Sequence, residues 1–209
     1  QKGLSLRFKT TALAVALGTL PVTLVGATAY FVADAQIVKQ INQYKQDRAI
    51  TLAEKVNRFM LERYAEIQAL SDLPILRNPK VRAVTSLEEK QAVLNRFAKI
   101  YGFYDSIAVA DLAGNTILQT QGEAVTGLGE RDYFKAVTQT DSAVITPPRK
   151  SALTGEYSIF MAAPIKDSVT GKTIAVIRSR VPAKFLDDVV KGYGRNGDDY
   201  HVIDSSGKF

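Results

Sequence analysis

The 209-residue sequence contains no cysteine, which excludes disulfides, thiol nucleophiles and thiolate metal sites together. It contains one histidine, His201, a lone imidazole at a predicted strand start without the set of ligands that a metal needs. A glycine-rich phosphate loop and a strand-to-helix nucleophile elbow are also missing. Asp187-Asp188 and Asp198-Asp199 read as linker charges and not as paired catalytic acids. The expectation is a non-enzymatic chain with no catalytic residues, no metal and no cofactor. A formal net charge of +6 raises nucleic acid as a partner,. Yet there is no run of Lys or Arg, and basic residues are scattered among acidic ones from Asp34 onward. Nucleic acid is therefore not an expected partner.

Charge is likewise absent from Thr10 to Ala33, where Ala, Val, Leu and Gly dominate. These roughly 24 residues span about 36 Å as a helix, enough to cross a hydrocarbon core of ~30 Å with some tilt. Pro21 sits inside the run, as membrane helices tolerate,. Lys2, Arg7 and Lys9 precede it and Asp34 follows, so the positive-inside rule puts the N-terminus in the cytoplasm and the remainder outside. Ala27-Thr28-Ala29 has the small residues of a signal-peptide cleavage site, but the apolar run is longer than a signal core and continues past it. The expected arrangement is an uncleaved anchor in the inner membrane, with the rest of the chain facing the periplasm or exterior.

After the anchor, apolar residues recur at Ile37, Ile41 and Tyr44, then at Ala49, Leu52, Val56, Phe59, Tyr64, Ile67 and Leu70. Spacings of three and four mark a long amphipathic helix. Its stripe fits two uses: a homodimer seam near the membrane, or a face packed on a globular domain further on. Ser71 to Pro79 reads as a turn with Pro74 and Pro79 as breakers,. Ser86 and Glu89 have capping-box spacing,. They predict a second helix to about Tyr101 with Val93, Leu94, Phe97 and Ile100 inward.

Beyond Gly102 the period changes to two. Ser106–Ala110 and Thr116–Gln119 predict a hairpin around Asp111 to Asn115, and Tyr157–Pro164 with Thr173–Val181 predict another,. An α+β domain with an antiparallel sheet of about five strands follows. His201 to Lys208 repeats the strand, Asp-x-x-Gly and polar pattern of Val109 to Asn115. That echo predicts the start of a second copy of the same unit, joined through Asp187 to Asp199 and broken off in mid-hairpin.

Between the two predicted hairpins lies Gly127-Leu128-Gly129-Glu130-Arg131-Asp132-Tyr133-Phe134. Arg131 offers a guanidinium able to hold a carboxylate through two parallel hydrogen bonds. Tyr133 and Phe134 are suited to wall such a site against water. The same residues also suit a structural salt bridge and a pair of core rings.

Taken in order, the anchor, the long helix, the hairpin with Asp111 and Gly114, the Arg131-Asp132-Tyr133-Phe134 motif, the Pro164 strand end and the strand into Val181-Pro182 resemble the double Cache family. These are the extracytoplasmic sensor modules of bacterial chemoreceptors (methyl-accepting chemotaxis proteins) and sensor histidine kinases. The resemblance implies a membrane-distal, PAS-like subdomain that binds a small ligand, followed by a membrane-proximal one. The implied organisation is a cytoplasmic N-terminus (1–9), a transmembrane helix (10–33), a long signalling helix (34–74), the ligand-binding subdomain (75–186), and a linker with the start of the second subdomain (187–209).

In amino-acid-sensing members an Arg, any residue and two aromatics hold the ligand carboxylate. By resemblance that role falls on Arg131, Tyr133 and Phe134, although Phe134 lacks the hydroxyl often found there. The same members place an Asp near the last strand end to hold the ligand ammonium. Aligned on Phe185-Leu186, that position is Arg180 here, with Arg178 on the same strand face,. Two arginines repel an ammonium, so the implied ligand is a dicarboxylate or other small anion. Tyr157 and Ser158 on the neighbouring strand, with Arg149 and Lys150 in a loop, complete the candidates. The function implied is a transmembrane receptor, a methyl-accepting chemotaxis protein before a sensor kinase or cyclase, with the lipid bilayer and a second copy of the chain as partners. A ligand-free dimerisation or scaffold ectodomain is the rival.

Overall fold

The structure is a computed structural model that describes residues 5–191. The echo hairpin around His201 and the pair Asp198-Asp199 lie outside the described residues. The chain divides into two compact units, Gln1–Thr51 and Leu52–Phe209.

In the first unit, helix α1 (Leu6–Ser71) begins. Its N-terminal part is long and apolar enough to cross a membrane. Leu13, Leu17, Leu20 and Leu24 are exposed along it. The hydroxyls of Thr19, Thr23 and Thr28 donate to the carbonyls of Val15, Thr19 and Leu24, at 2.8, 3.0 and 3.0 Å. Those bonds satisfy the three hydroxyls within the helix itself,. Ile37, Ile41 and Tyr44 are also exposed.

In the second unit the remainder of α1 buries Leu52, Ile67 and Leu70, the later part of the predicted stripe. The expected turn after it is instead two short helices, α2 (Pro74–Arg77) and α3 (Pro79–Val84). Each starts with its proline, which suits a first turn where no amide is needed. The Asn78 side chain caps α3 by accepting from the Lys80 and Val81 amides. Helix α4 (Leu87–Tyr101) carries the predicted capping box of Ser86 and Glu89, and ends at Gly102 in the left-handed region. Leu94 is fully buried and Phe97 packs on the core, but Val93 and Ile100 are exposed, contrary to expectation. The helix has more apolar residues than its contact stripe can use.

The sheet comprises β1 (Ser106–Asp111), β2 (Thr116–Gln119), β3 (Val144–Ile145), β4 (Arg149–Lys150), β5 (Tyr157–Lys166) and β6 (Thr173–Pro182). Its order is β2-β1-β6-β5-β3, with β4 also on β5 and all pairs antiparallel. It has six strands where about five are expected, because two-residue pieces either side of a turn, β3 and β4, join the four strands of the two hairpins. Side chains alternate between faces. Ile107, Val109, Ile159, Met161, Ile165 and Ile177 point to the face shared with Ile67, Leu70 and Leu94 of α1 and α4. Ala108, Ala110, Phe160, Ala162 and Val176 point to the other, under helix α5 (Asp132–Thr140). The last described element is α6 (Lys184–Val190).

Candidate functional site

The α5 face of the sheet is where the chemistry collects. Arg178 and Arg180 alternate onto it from β6. Arg178 stands between Ala108 and Ala162, Arg180 between Ser106 and Phe160. A cavity of about 240 Å³ on this face is lined by Arg131, Asp132, Tyr133, Arg149, Lys150, Ser151, Leu153, Phe160, Arg178 and Arg180, among others.

Arg131 is delivered by the turn before α5. Gly127 adopts the left-handed region (φ 64°), and a 3-10 helix, Leu128–Glu130, follows with Leu128 buried. That turn is pressed against the tip of the first hairpin. A Cβ on Gly114, itself at φ +86°, would stand 2.3 Å from the Gly129 Cα, so neither backbone can approach this way with a side chain at residue 114. The Asp-x-x-Gly hairpin and the Arg131 motif, separate in sequence, thus brace each other. Arg131 opens α5 with extended backbone (φ −77°, ψ 139°) and caps nothing with its side chain. Its guanidinium has no hydrogen-bond or ion-pair partner among the described residues.

Tyr133 and Phe134 do not share the site as expected. Consecutive helical residues point about 100° apart. Tyr133 faces the cavity, stacked on Phe160 at 5.3 Å between ring centroids and 15° between planes. Phe134 lines a separate, more open groove of about 800 Å³ beside Gly114 and Gly129. Ser158 is fully buried and bonds locally to the Glu156 carbonyl at 3.4 Å, while Tyr157 is half exposed, and neither lines the cavity. The structure therefore brings together Arg131, Tyr133, Arg178 and Arg180, with Arg149 and Lys150, and leaves out Phe134, Tyr157 and Ser158. Sequence reasoning missed Phe160, although its place opposite Arg180 on the neighbouring strand follows once register is known. It also missed Asp105 and Ser151, for which no sequence pattern gave a signal.

The electrostatics are uneven. Asp132 pairs with Arg149 at 2.9 Å, and Asp105 with Arg180 at 2.8 Å. Arg178 is 3% exposed, donates to the Ser106 carbonyl at 3.3 Å, and has a buried Nε with no partner among the described residues. Burial pulls its guanidinium below the ordinary arginine value, and the neighbouring Arg180 and Arg131 add to this. Burial likewise raises the Tyr133 phenol, against the pull of Arg178, Arg131 and Arg149. Such an arrangement stabilises an incoming negative charge. Among the described residues no group of three or more His, Cys, Asp or Glu is placed to hold a metal ion.

A family model described as the Cache domain matches residues 33–209. No curated protein sequence matches significantly. Among solved structures, the ligand-binding domain of the Pseudomonas aeruginosa PAO1 amino-acid chemoreceptor PctC in complex with GABA is 16% identical, with a TM-score of 0.60 over 74% of this chain and 66% of that one. The ligand-binding domain of the Pseudomonas fluorescens chemoreceptor CtaA in complex with L-serine is 16% identical, with a TM-score of 0.62 over 81% of this chain and 71% of that one. For the Campylobacter jejuni chemoreceptor Tlp3 in complex with L-valine the values are 16%, 0.57, 69% and 60%. The chain thus spans 66% and 60% of the length of the first and last of these structures, and at such identities the likeness is one of fold.

Proposed function

The chain belongs to the Cache domain family, and on that premise we propose that it is the membrane-anchored, periplasm-facing input region of a methyl-accepting chemotaxis protein whose cavity recognises a small carboxylate or related anion. The observation that carries the ligand class is the pair of uncompensated guanidinium groups, Arg131 and the buried Arg178, facing one small cavity. A buried cation without a partner is costly, and a bound anion removes that cost. The Tyr133–Phe160 stack supplies an apolar wall beside it,. The three related receptor structures carry GABA, L-serine and L-valine. Each ligand has a carboxylate, so the anionic half of this site fits that precedent and the arginine-rich remainder does not favour an ammonium.

Signal transfer then runs through the opposite face of the sheet. Occupancy shifts the packing of β5 and β6 on Ile67 and Leu70, and α1 carries the shift towards the apolar segment, in a dimer formed through that helix,. The ligand reading is tested by thermal shift and calorimetry with acetate, succinate, inorganic phosphate, GABA and L-serine. Anions without an ammonium are expected to raise the melting temperature, and Arg131→Ala to lose at least about tenfold in affinity, near 1.4 kcal/mol. Stabilisation by L-serine alone, unaffected by Arg131→Ala, would rule the reading out. A sensor kinase or cyclase sharing the same input region is separated from a chemoreceptor by the residues that follow in the gene.

A further inference from the structure

Within the anion-site reading above, we infer that Arg180 is a positioning residue and not a ligand contact: it clasps the Ser151–Thr154 turn over the cavity, with its charge matched by Asp105. Arg180 lies two residues from Arg178 on the same face, so chain position alone gives both the same role. Their surroundings differ. The Arg180 Nε donates to Asp105 Oδ1 at 2.8 Å, and its Nη1 donates to Ser151 Oγ at 2.7 Å and, more distantly, to Thr154 Oγ1 at 3.4 Å. Asp105 is held in turn, its amide donating to the Arg180 carbonyl at 3.2 Å.

Ser151 is the hub of the clasped turn. Its hydroxyl also accepts from the amides of Leu153 and Thr154 at 3.2 and 3.3 Å. Its amide donates to the Glu156 carbonyl, and its carbonyl accepts from the Gly155 amide, both at 2.8 Å. Ser151 is buried at 4% exposure although it lies in a loop between β4 and β5. The turn carries Leu153 onto the apolar cluster of Tyr133 and Phe160, and holds Arg149 and Lys150 at the cavity rim. A two-residue ladder, Arg149 with Ser158 and Lys150 with Tyr157, also ties this segment to β5. Three of the five Arg180 N–H donors, those of Nε and Nη1, are already committed to Asp105 and the clasped turn, whereas the Arg178 Nε beside it has no partner among the described residues,. Arg178 and Arg131 hold the anion, and Arg180 sets the height of the roof above them.

The test separates roof from ligand contact. Amide hydrogen exchange across residues 150–157 is followed by mass spectrometry in the ligand-free chain, for wild type, Arg180→Gln and the milder Ser151→Ala. Both variants are expected to exchange about tenfold faster in that segment, with β1 and β6 unchanged. Succinate affinity is measured alongside. Ser151→Ala, which removes no charge, is expected to weaken it about threefold through the loosened roof. Exchange within twofold of wild type in both variants overturns the clasp. So does a loss of succinate binding in Arg180→Gln as deep as that of Arg131→Ala with the segment still protected, because Arg180 would then be a direct contact. If succinate fails to bind even wild type, the ligand reading fails, while exchange in the unliganded turn still decides the clasp.

Discussion

Three arginines are buried in the sheet domain, and two of them, Arg63 and Arg178 on opposite faces of the sheet, are treated in opposite ways. Arg63, on α1, donates from Nε and Nη2 to the two carboxylate oxygens of Glu66 at 2.8 and 2.5 Å. Its guanidinium lies over the rings of Phe103 and Phe59 at 3.9 and 4.8 Å, and Tyr104 donates to the same Glu66. Burial works against the charge, but Glu66 outweighs it and holds Arg63 above the ordinary arginine value. Arg178 has one long bond to a carbonyl, a ring 5.9 Å away, other arginines beside it, and a guanidinium pulled below its ordinary value. A charge closed on itself fixes α1 and the Phe103–Tyr104 segment together. An open one leaves its electrostatic cost to be relieved by something that arrives later.

The comparison breaks most visibly at Glu66. Glu66→Ala strands Arg63 without its counter-ion and is expected to lower unfolding stability by about 3 kcal/mol, read by urea denaturation. Arg63→Met combined with Glu66→Leu should recover most of that loss, because the desolvation cost disappears with the pair. Arg178→Met is predicted to behave differently. In anion-free buffer the unfolding free energy should stay within about 1 kcal/mol of wild type or rise, while anion-dependent stabilisation disappears. A drop as large as that of Glu66→Ala would make Arg178 a structural residue and erase the contrast.

The smallest effect is in alkaline titration, since each arginine has a tyrosine beside it. Tyr104 is pushed far above the ordinary phenol value, by burial first and then by Glu66. Tyr133 is raised by burial but held back by Arg178, Arg131 and Arg149. Both folded values lie above the unfolded one, so the stability each contributes is present below pH ~10 and is lost as pH rises beyond it. Phenolate absorbance, with Tyr133→Phe and Tyr104→Phe as references, should show Tyr133 ionising first. Arg178→Met should move Tyr133 upward by removing its nearest cation. Ionisation in the reverse order would place the open charge elsewhere.

Much of this was legible along the chain. The apolar run with its flanking charges, the Ser86–Glu89 cap, the Asp111–Asn115 hairpin and the two long strands are written in local patterns, and each is present. Where local reading failed, it failed for local reasons: Pro74 and Pro79 start helices as readily as they stop them, and Val93 and Ile100 are apolar without being buried. At the site, period two was enough to place Arg178 and Arg180 on one face. The same kind of reasoning, applied to α5, would have separated Tyr133 from Phe134 had the helix been expected there.

By itself, then, the sequence determined the apolar span, the two long helices, the two hairpins and the shared face of Arg178 and Arg180, because those follow from backbone geometry over a few residues. Tertiary structure alone decided what each charge meets. Asp105 reaches Arg180 across 75 positions of the chain and Ser151 reaches it across 29. Arg178 sits between Ala108 and Ala162, neither of which offers it a polar partner. Pairing across such separations depends on strand register and on how a turn folds back over the sheet, and neither is encoded in any one stretch of residues. The difference between an arginine that holds the roof and one that faces an empty space exists only once the strands are side by side.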